Sequence, residues 1–147
     1  MVNNNVILVS ACLLGEKCRY DGQGNYSSAV ERVLEGQMVV SVCPEVAGGL
    51  GVPRAPAEIV DDRVLREDGT DVTAEYEAGV KACMEVVEKY SVIKAILKAR
   101  SPACGCGLIY NGQFNGTIIT GDGLLTRALK ARGIACETEE TVGREET

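Results

Sequence analysis

Seven cysteines and no histidine define the chemistry open to this 147-residue chain. Without imidazole there is no Ser-His-Asp triad, no His-ligated zinc and no His proton shuttle. Catalysis must rest on Cys, Asp, Glu, Ser, Tyr, Lys or Arg. Three cysteines are set apart by position. Cys12 lies two residues past the run Val6-Ile7-Leu8-Val9-Ser10, Cys43 directly follows Met38-Val39-Val40-Ser41-Val42, and Cys104 lies in the loop after Val92–Leu97. Each run is continuous, apolar and rich in β-branched residues, the pattern of a buried strand. In an open parallel sheet the loops at the strand C-terminal ends meet at one crevice. Three thiols from three distant segments are therefore expected on one site. Cys83 falls on a helix stripe and Cys136 inside a strand, and both read as small buried thiols. Cys18 and Cys106 share loops with Cys12 and Cys104. Lining the site, standing in as ligands and packing all stay open for them.

The spacing narrows what such thiols bind. No pair is Cys-x-x-Cys, and Cys104-Gly105-Cys106 is one residue too tight, so a zinc knuckle or thioredoxin-type pair fits poorly. Soft thiolates without imidazole favour an iron–sulfur cluster. A 4Fe-4S cube held by three cysteines keeps one iron open as a Lewis acid for a soft sulfur group. The competing reading is of scattered core cysteines with no cofactor.

The elements that must carry these loops are readable in outline. A helix is expected over about 28–35, with Ser28 and Glu31 as its capping box and Gly36 at its stop. The stretch 43–56 is too broken by Pro and Gly for either element. Residues 58–70 suggest a small hairpin around Asp68-Gly69. Asp71 or Thr73 caps a long helix to about Tyr90, with Tyr76, Val80, Cys83 and Val87 on one face. Asn111-Gly112 signals a tight turn. Asp122 caps a last helix ending at Gly133, and Ile134-Ala135-Cys136 is a fourth strand. Residues 137–147 read as a frayed acidic tail. This alternation predicts an α/β fold in a single domain over 1–147: an open, mainly parallel sheet, Rossmann-like and three-layered, with right-handed crossovers.

Composition agrees with an ordinary soluble domain, at 46% hydrophobic and 24% charged residues. Fifteen basic against twenty-one acidic residues give a net charge of −6, which argues against DNA and against general nucleic-acid binding. The start carries no basic residues, and its apolar run is too short to span a bilayer. A cytoplasmic protein with no membrane partner is expected, its thiols reduced, metal-bound or reactive. Oligomeric state is not written in the sequence.

Five segments in order carry a resemblance: Ser10-Ala11-Cys12-Leu13-Leu14-Gly15; Cys18-Arg19-Tyr20-Asp21-Gly22; Cys43-Pro44-Glu45-Val46 with Gly48-Gly49-Leu50 and Pro53-Arg54; Ser101-Pro102-Ala103-Cys104-Gly105 with Tyr110-Asn111-Gly112; and Gly121-Asp122-Gly123. Over roughly residues 6–136 the chain resembles a bacterial domain-of-unknown-function family whose characterised members are thiouracil desulfidases. The resemblance implies a 4Fe-4S cluster on Cys12, Cys43 and Cys104, whose free iron takes the thiocarbonyl sulfur of a small thiolated substrate. It implies a non-redox reaction, 2-thiouracil plus water giving uracil and hydrogen sulfide. Glu45 matches the family's proton-handling acid, and Ser101 a serine near the substrate. The family's Tyr-Asp-Gly is Tyr110-Asn111-Gly112 here, which removes a carboxylate at 111.

The residues support that chemistry on their own terms. Glu45 stands two places from Cys43 and is suited to take a proton from attacking water or return one to sulfur. As a purely structural residue it would instead cap loop N–H groups. Ser101 can bond substrate or water, or simply start a turn. Arg54 is expected to pair with an acid of its own loop such as Glu58. Arg19 and Asp122 are secondary candidates, Asp122 most simply a helix cap. A cluster-binding or sulfur-carrier module without turnover is the alternative function.

Overall fold

A computed structural model of the chain describes residues 5–142. Four strands form its centre: β1 (Val6–Ser10), β2 (Met38–Val42), β5 (Val92–Leu97) and β8 (Ala135–Thr138), in the order β2-β1-β5-β8. All three pairings are parallel, as the alternating pattern predicts. Helix α1 (Ser28–Leu34) connects β1 to β2; α3 (Thr73–Tyr90) precedes β5; α4 (Leu124–Ala131) precedes β8. Two antiparallel hairpins sit outside the sheet, β3 (Ala57–Val60) with β4 (Arg63–Arg66), and β6 (Leu108–Tyr110) with β7 (Ile118–Thr120). The one-turn α2 (Pro44–Ala47) follows β2 directly.

The layers follow from strand alternation. Val6 and Leu8 of β1 pack into a cluster with Tyr76, Cys83 and Val87 of α3 and Leu125 and Leu129 of α4. Ile7 and Val9 point the other way, to Val30 and Leu34 of α1. Every residue of β1 is buried, so both faces are covered and the fold is the expected three-layer α/β sheet. Burying each such aliphatic side chain contributes about 1.5–3 kcal/mol.

Local chemistry moves several boundaries. Helix α1 is capped by Ser27, whose hydroxyl accepts from Val30 N at 3.2 Å, while Glu31 receives the Tyr26 hydroxyl instead of completing a box with Ser28. The first hairpin turns at Asp61-Asp62, both in the left-handed region (φ 46° and 67°), not at Asp68-Gly69. Short polar side chains tolerate that conformation. Asp68-Gly69 makes a second turn, closed by Arg66 N to Thr70 O, that leads into α3. Val72, between the two expected caps, occupies the N-cap of α3, while Asp71 Oδ1 accepts from Thr73 N. Asn111-Gly112 opens a seven-residue loop between β6 and β7 and is not a two-residue turn.

The expected frayed tail is corrected over its first six residues. Glu137 and Thr138 belong to β8, and Glu137, Glu139 and Glu140 pair with Lys94, Lys98 and Arg100 at 2.9, 2.9 and 2.8 Å. Val142 is buried against the α1 face. The acidic segment is thus held by the basic residues of β5 and the loop after it. Residues 143–147 lie outside the described residues. Among the described residues no helix is long and apolar enough to cross a membrane.

Candidate active site

The chain runs outward from β1 to β2, then returns to the far side of β1 as β5. The direction therefore reverses between β1 and β5, and a crevice opens beyond their carboxyl ends. A cavity of about 450 Å³ lies among the strand-end loops. That is within the ordinary range for small-molecule sites. Cys12, Cys43 and Cys104 all line it, together with Glu45 and Ser101. Cys18 joins them, whereas Cys83, Cys106 and Cys136 do not.

Each thiol is held by its own local structure. Cys12 lies in a 3-10 turn, Ala11–Leu14, whose end is Gly15 with φ 97°. Its carbonyl accepts from Gly15 N and from Asn25 N, at 3.0 and 2.8 Å. Cys43 is the N-cap of α2, with Pro44 at the first helical position, where its missing N–H costs nothing. Cys104 is held by Ser101, whose Oγ accepts from Ala103 N and Cys104 N at 3.0 and 3.1 Å. Thr126 Oγ1 donates to the Cys104 carbonyl at 3.0 Å.

The start of α4 explains why Asp122 is not its cap. The amides of Gly123, Leu124 and Leu125 are taken by the carbonyls of Gly105, Pro102 and Ala103. The N–H groups a helix leaves unpaired at its start therefore fasten the Cys104 loop instead. Gly123 permits this approach, because a Cβ there would lie 2.5 Å from the Ala103 carbonyl carbon. Asp122 turns outward, accepting from Gly107 N at 2.7 Å and pairing with Lys130 at 3.0 Å.

The thiols differ in their readiness to ionise. The Cys18 thiol stands against both Cys12 and Cys43, and that contact pushes Cys18 itself far up. Cys12 is lowered, first by Cys18 and then by Asn25 against the opposing cost of burial. Cys43 is brought down to about 7, first by Cys18, with the Val46 amide adding to it against burial. Burial pushes Cys104 well up, against a hydrogen bond from Ser10. Cys83, 1% exposed, is pushed up to about 12 by burial. Cys106 turns its thiol to the Cys136 carbonyl at 3.5 Å.

Glu45 has two partners in the cavity wall. The Tyr76 hydroxyl donates to Oε2 at 2.6 Å, and the Arg54 guanidinium stands 3.4 Å from Oε1. Arg54 also donates to the Cys18 carbonyl at 3.0 Å, so it ties the acid to the thiol loop. Arg54 thus pairs with an acid of its own loop as expected, but that acid is Glu45: Glu58 instead accepts from Gly112 N and Phe114 N. Tyr76 read as plain core because its helix stripe is apolar. Only the fold shows its hydroxyl reaching Glu45, and burial with that carboxylate pushes the phenol far up. Ser10 stood in the first motif without an assigned role, and Asn25, also unforeseen, lay in no motif. Arg19 lies in the wall, donating to Asn25 Oδ1 at 2.9 Å, whereas Asn111 makes a local turn to Gln113 N.

Helix α2 carries Glu45 and is pressed against α3 at two glycines. A Cβ on Gly79 would overlap the Pro44 carbonyl, and one on Gly48 the Glu75 carbonyl. Gly79→Ala gains helix propensity yet must push the helices apart. We expect its melting temperature to fall by roughly 3–10 °C in a thermal unfolding scan, since overpacking costs about 1–3 kcal/mol. An unchanged or higher value would show that the helices are not in backbone contact.

Comparison with known proteins bears on this arrangement. A family model described as 2-thiouracil desulfurase matches residues 7–141. The uncharacterized protein YbbK of Bacillus subtilis (strain 168) is 37% identical over 138 residues, covering 87% of this chain and 91% of that protein. The solved structure of a 4Fe-4S-dependent thiouracil desulfidase, TudS, superposes with a TM-score of 0.89 at 40% identity, covering 95% of this chain and 94% of that one. The family match runs through every cavity-lining cysteine and through Glu45 and Ser101. The chain belongs to the 2-thiouracil desulfurase family.

Proposed function

We propose that this protein is an iron–sulfur desulfidase converting a 2-thiouracil-type base and water into the oxo base and hydrogen sulfide, with no net oxidation or reduction. The observation that carries the reading is the meeting of Cys12, Cys43 and Cys104, from three strand-end loops, on a cavity whose wall includes Glu45. A 40%-identical structure described as 4Fe-4S-dependent supports it.

The donor set fits a cluster. Three thiols from three loops stand on one cavity in a chain without imidazole, the soft donor set a cluster takes. A cube takes one thiolate per iron and spreads its ligands over a larger body. Cys12, Cys43 and Cys104 would hold it, and Cys18 would face two of them. When bound, the cluster supplies a Lewis-acidic iron suited to a thiocarbonyl sulfur.

The chain's own residues manage water and protons. Glu45 takes a proton from water as the water oxygen bonds to the thiocarbonyl carbon. It returns that proton to sulfur; as the C–S bond breaks and the C=O forms, the new hydroxyl gives its remaining proton to Glu45, which passes it to the departing hydrosulfide, so both water protons leave as hydrogen sulfide. Arg54 and Tyr76 occupy its two oxygens from the protein side and fix its orientation. Ser101 Oγ already accepts two amides, which leaves its O–H free to donate to substrate or water.

Anaerobic reconstitution with iron and sulfide, followed by 2-thiouracil, tests the reading. The expected result is a brown protein carrying four irons per chain that releases sulfide catalytically. Cluster formation without sulfide release would identify a carrier module instead, and a colourless iron-free protein would remove the cluster altogether.

A further inference from the structure

Aromatic residues are scarce in this chain, at five Tyr and one Phe. Four of these six, Tyr20, Tyr76, Tyr110 and Phe114, line the thiol cavity. The Tyr76 hydroxyl is committed to Glu45. Tyr20, Tyr110 and Phe114 have no such partner, and none belongs to either core cluster. Their concentration at the cavity is not explained by packing.

Phe114 is held there at a cost. Its φ is +54°, in the left-handed region that bulky residues avoid at about 1–3 kcal/mol. The surroundings enforce it. Glu58 Oε1 accepts from both Gly112 N and Phe114 N, at 2.9 and 3.2 Å. Gly112, at φ +87°, lies so close to the β3 strand that a Cβ would meet the Ile59 carbonyl oxygen at 2.6 Å. One carboxylate and one close glycine thus pin the β6–β7 loop against the β3–β4 hairpin and fix Phe114 in the cavity wall.

We infer that Phe114, with Tyr110 and Tyr20 also in the cavity wall, forms the stacking wall that recognises the flat face of a heteroaromatic substrate. The inference rests on the site being a desulfidase, and it names the residue that makes the substrate a ring. A planar pyrimidine presents a π-face to an aromatic side chain whatever its exocyclic groups. Tolerance for the sulfur position and firm demand for a ring follow together.

Two variants of the reconstituted holoenzyme separate stacking from backbone effects. Phe114→Leu keeps an apolar side chain at the same strained φ, and Phe114→Tyr keeps the ring. Stacking predicts that Phe114→Leu raises the KM for 2-thiouracil about ten-fold with kcat little changed, and weakens uracil binding by calorimetry about as much. Phe114→Tyr should stay close to wild type in both. Phe114→Leu matching wild type, or Phe114→Tyr as impaired as Phe114→Leu, would overturn the inference. Uracil binding needs no turnover, so the two readings fail separately. Protein that binds uracil through Phe114 but releases no sulfide overturns the desulfidase reading alone. Sulfide release indifferent to Phe114→Leu overturns the stacking wall alone.

Discussion

Alanine at any one of Cys12, Cys43 or Cys104 is expected to strip most of the iron from the anaerobically reconstituted protein. Sulfide release should fall on the order of 100-fold or more. The three positions lie far apart in sequence but meet at the carboxyl ends of β1, β2 and β5, and each thiol has a backbone locked by different groups. Loss of one leaves the others in place, so the defect should appear in iron content and visible absorbance before it appears in folding. Cys83→Ala is the matched control. Cys83 is 1% exposed on α3 and outside the cavity wall, so its loss should cost some stability and keep the iron. Iron retained in Cys12→Ala but lost in Cys83→Ala would move the site elsewhere.

Glu45→Gln carries the second large effect. The amide preserves volume and can still meet Tyr76 and Arg54, but it cannot carry a proton. General-base catalysis contributes typically 10²–10⁴-fold, so kcat should fall by about that factor with KM and iron content near wild type. Tyr76→Phe should lose far less, because the carboxylate keeps its chemistry and loses one of its two supports. A Glu45→Gln enzyme within a few-fold of wild type, its iron intact, would make Glu45 a structural residue and transfer proton handling to another group. Ser101 is the next candidate, since its hydroxyl proton is the one function its turn leaves free.

What the sequence reveals and conceals has a physical pattern. The four parallel strands and the long helix were legible because buried β-branched runs and a helical stripe repeat over many residues. Cys12, Cys43 and Cys104 were legible for the same reason: their distance from strand ends is a local quantity, and sheet topology converts it into spatial proximity. Tyr76 was not. Its apolar neighbours account for its place on the stripe, and only the close packing of α2 on α3 at Gly48 and Gly79 brings Glu45 to its hydroxyl. Asp122 misled because Gly-Asp-Gly before a helix is a good cap by local rules. The Cys104 loop supplies carbonyls to the same amides and wins. The acidic end misled similarly, since nothing local to residues 137–142 announces the basic partners on and after β5. Cys18, left open by its position, proved to lie between two of the site's thiols.

The central claim is hydrolytic removal of sulfur, and its most direct test is turnover of 2-thiouracil by reconstituted protein in ¹⁸O-labelled water, without any electron donor. The account predicts one sulfide released per uracil formed, with the new uracil oxygen drawn from the labelled water. Unlabelled uracil, or sulfide appearing only when a reductant is supplied, would contradict it.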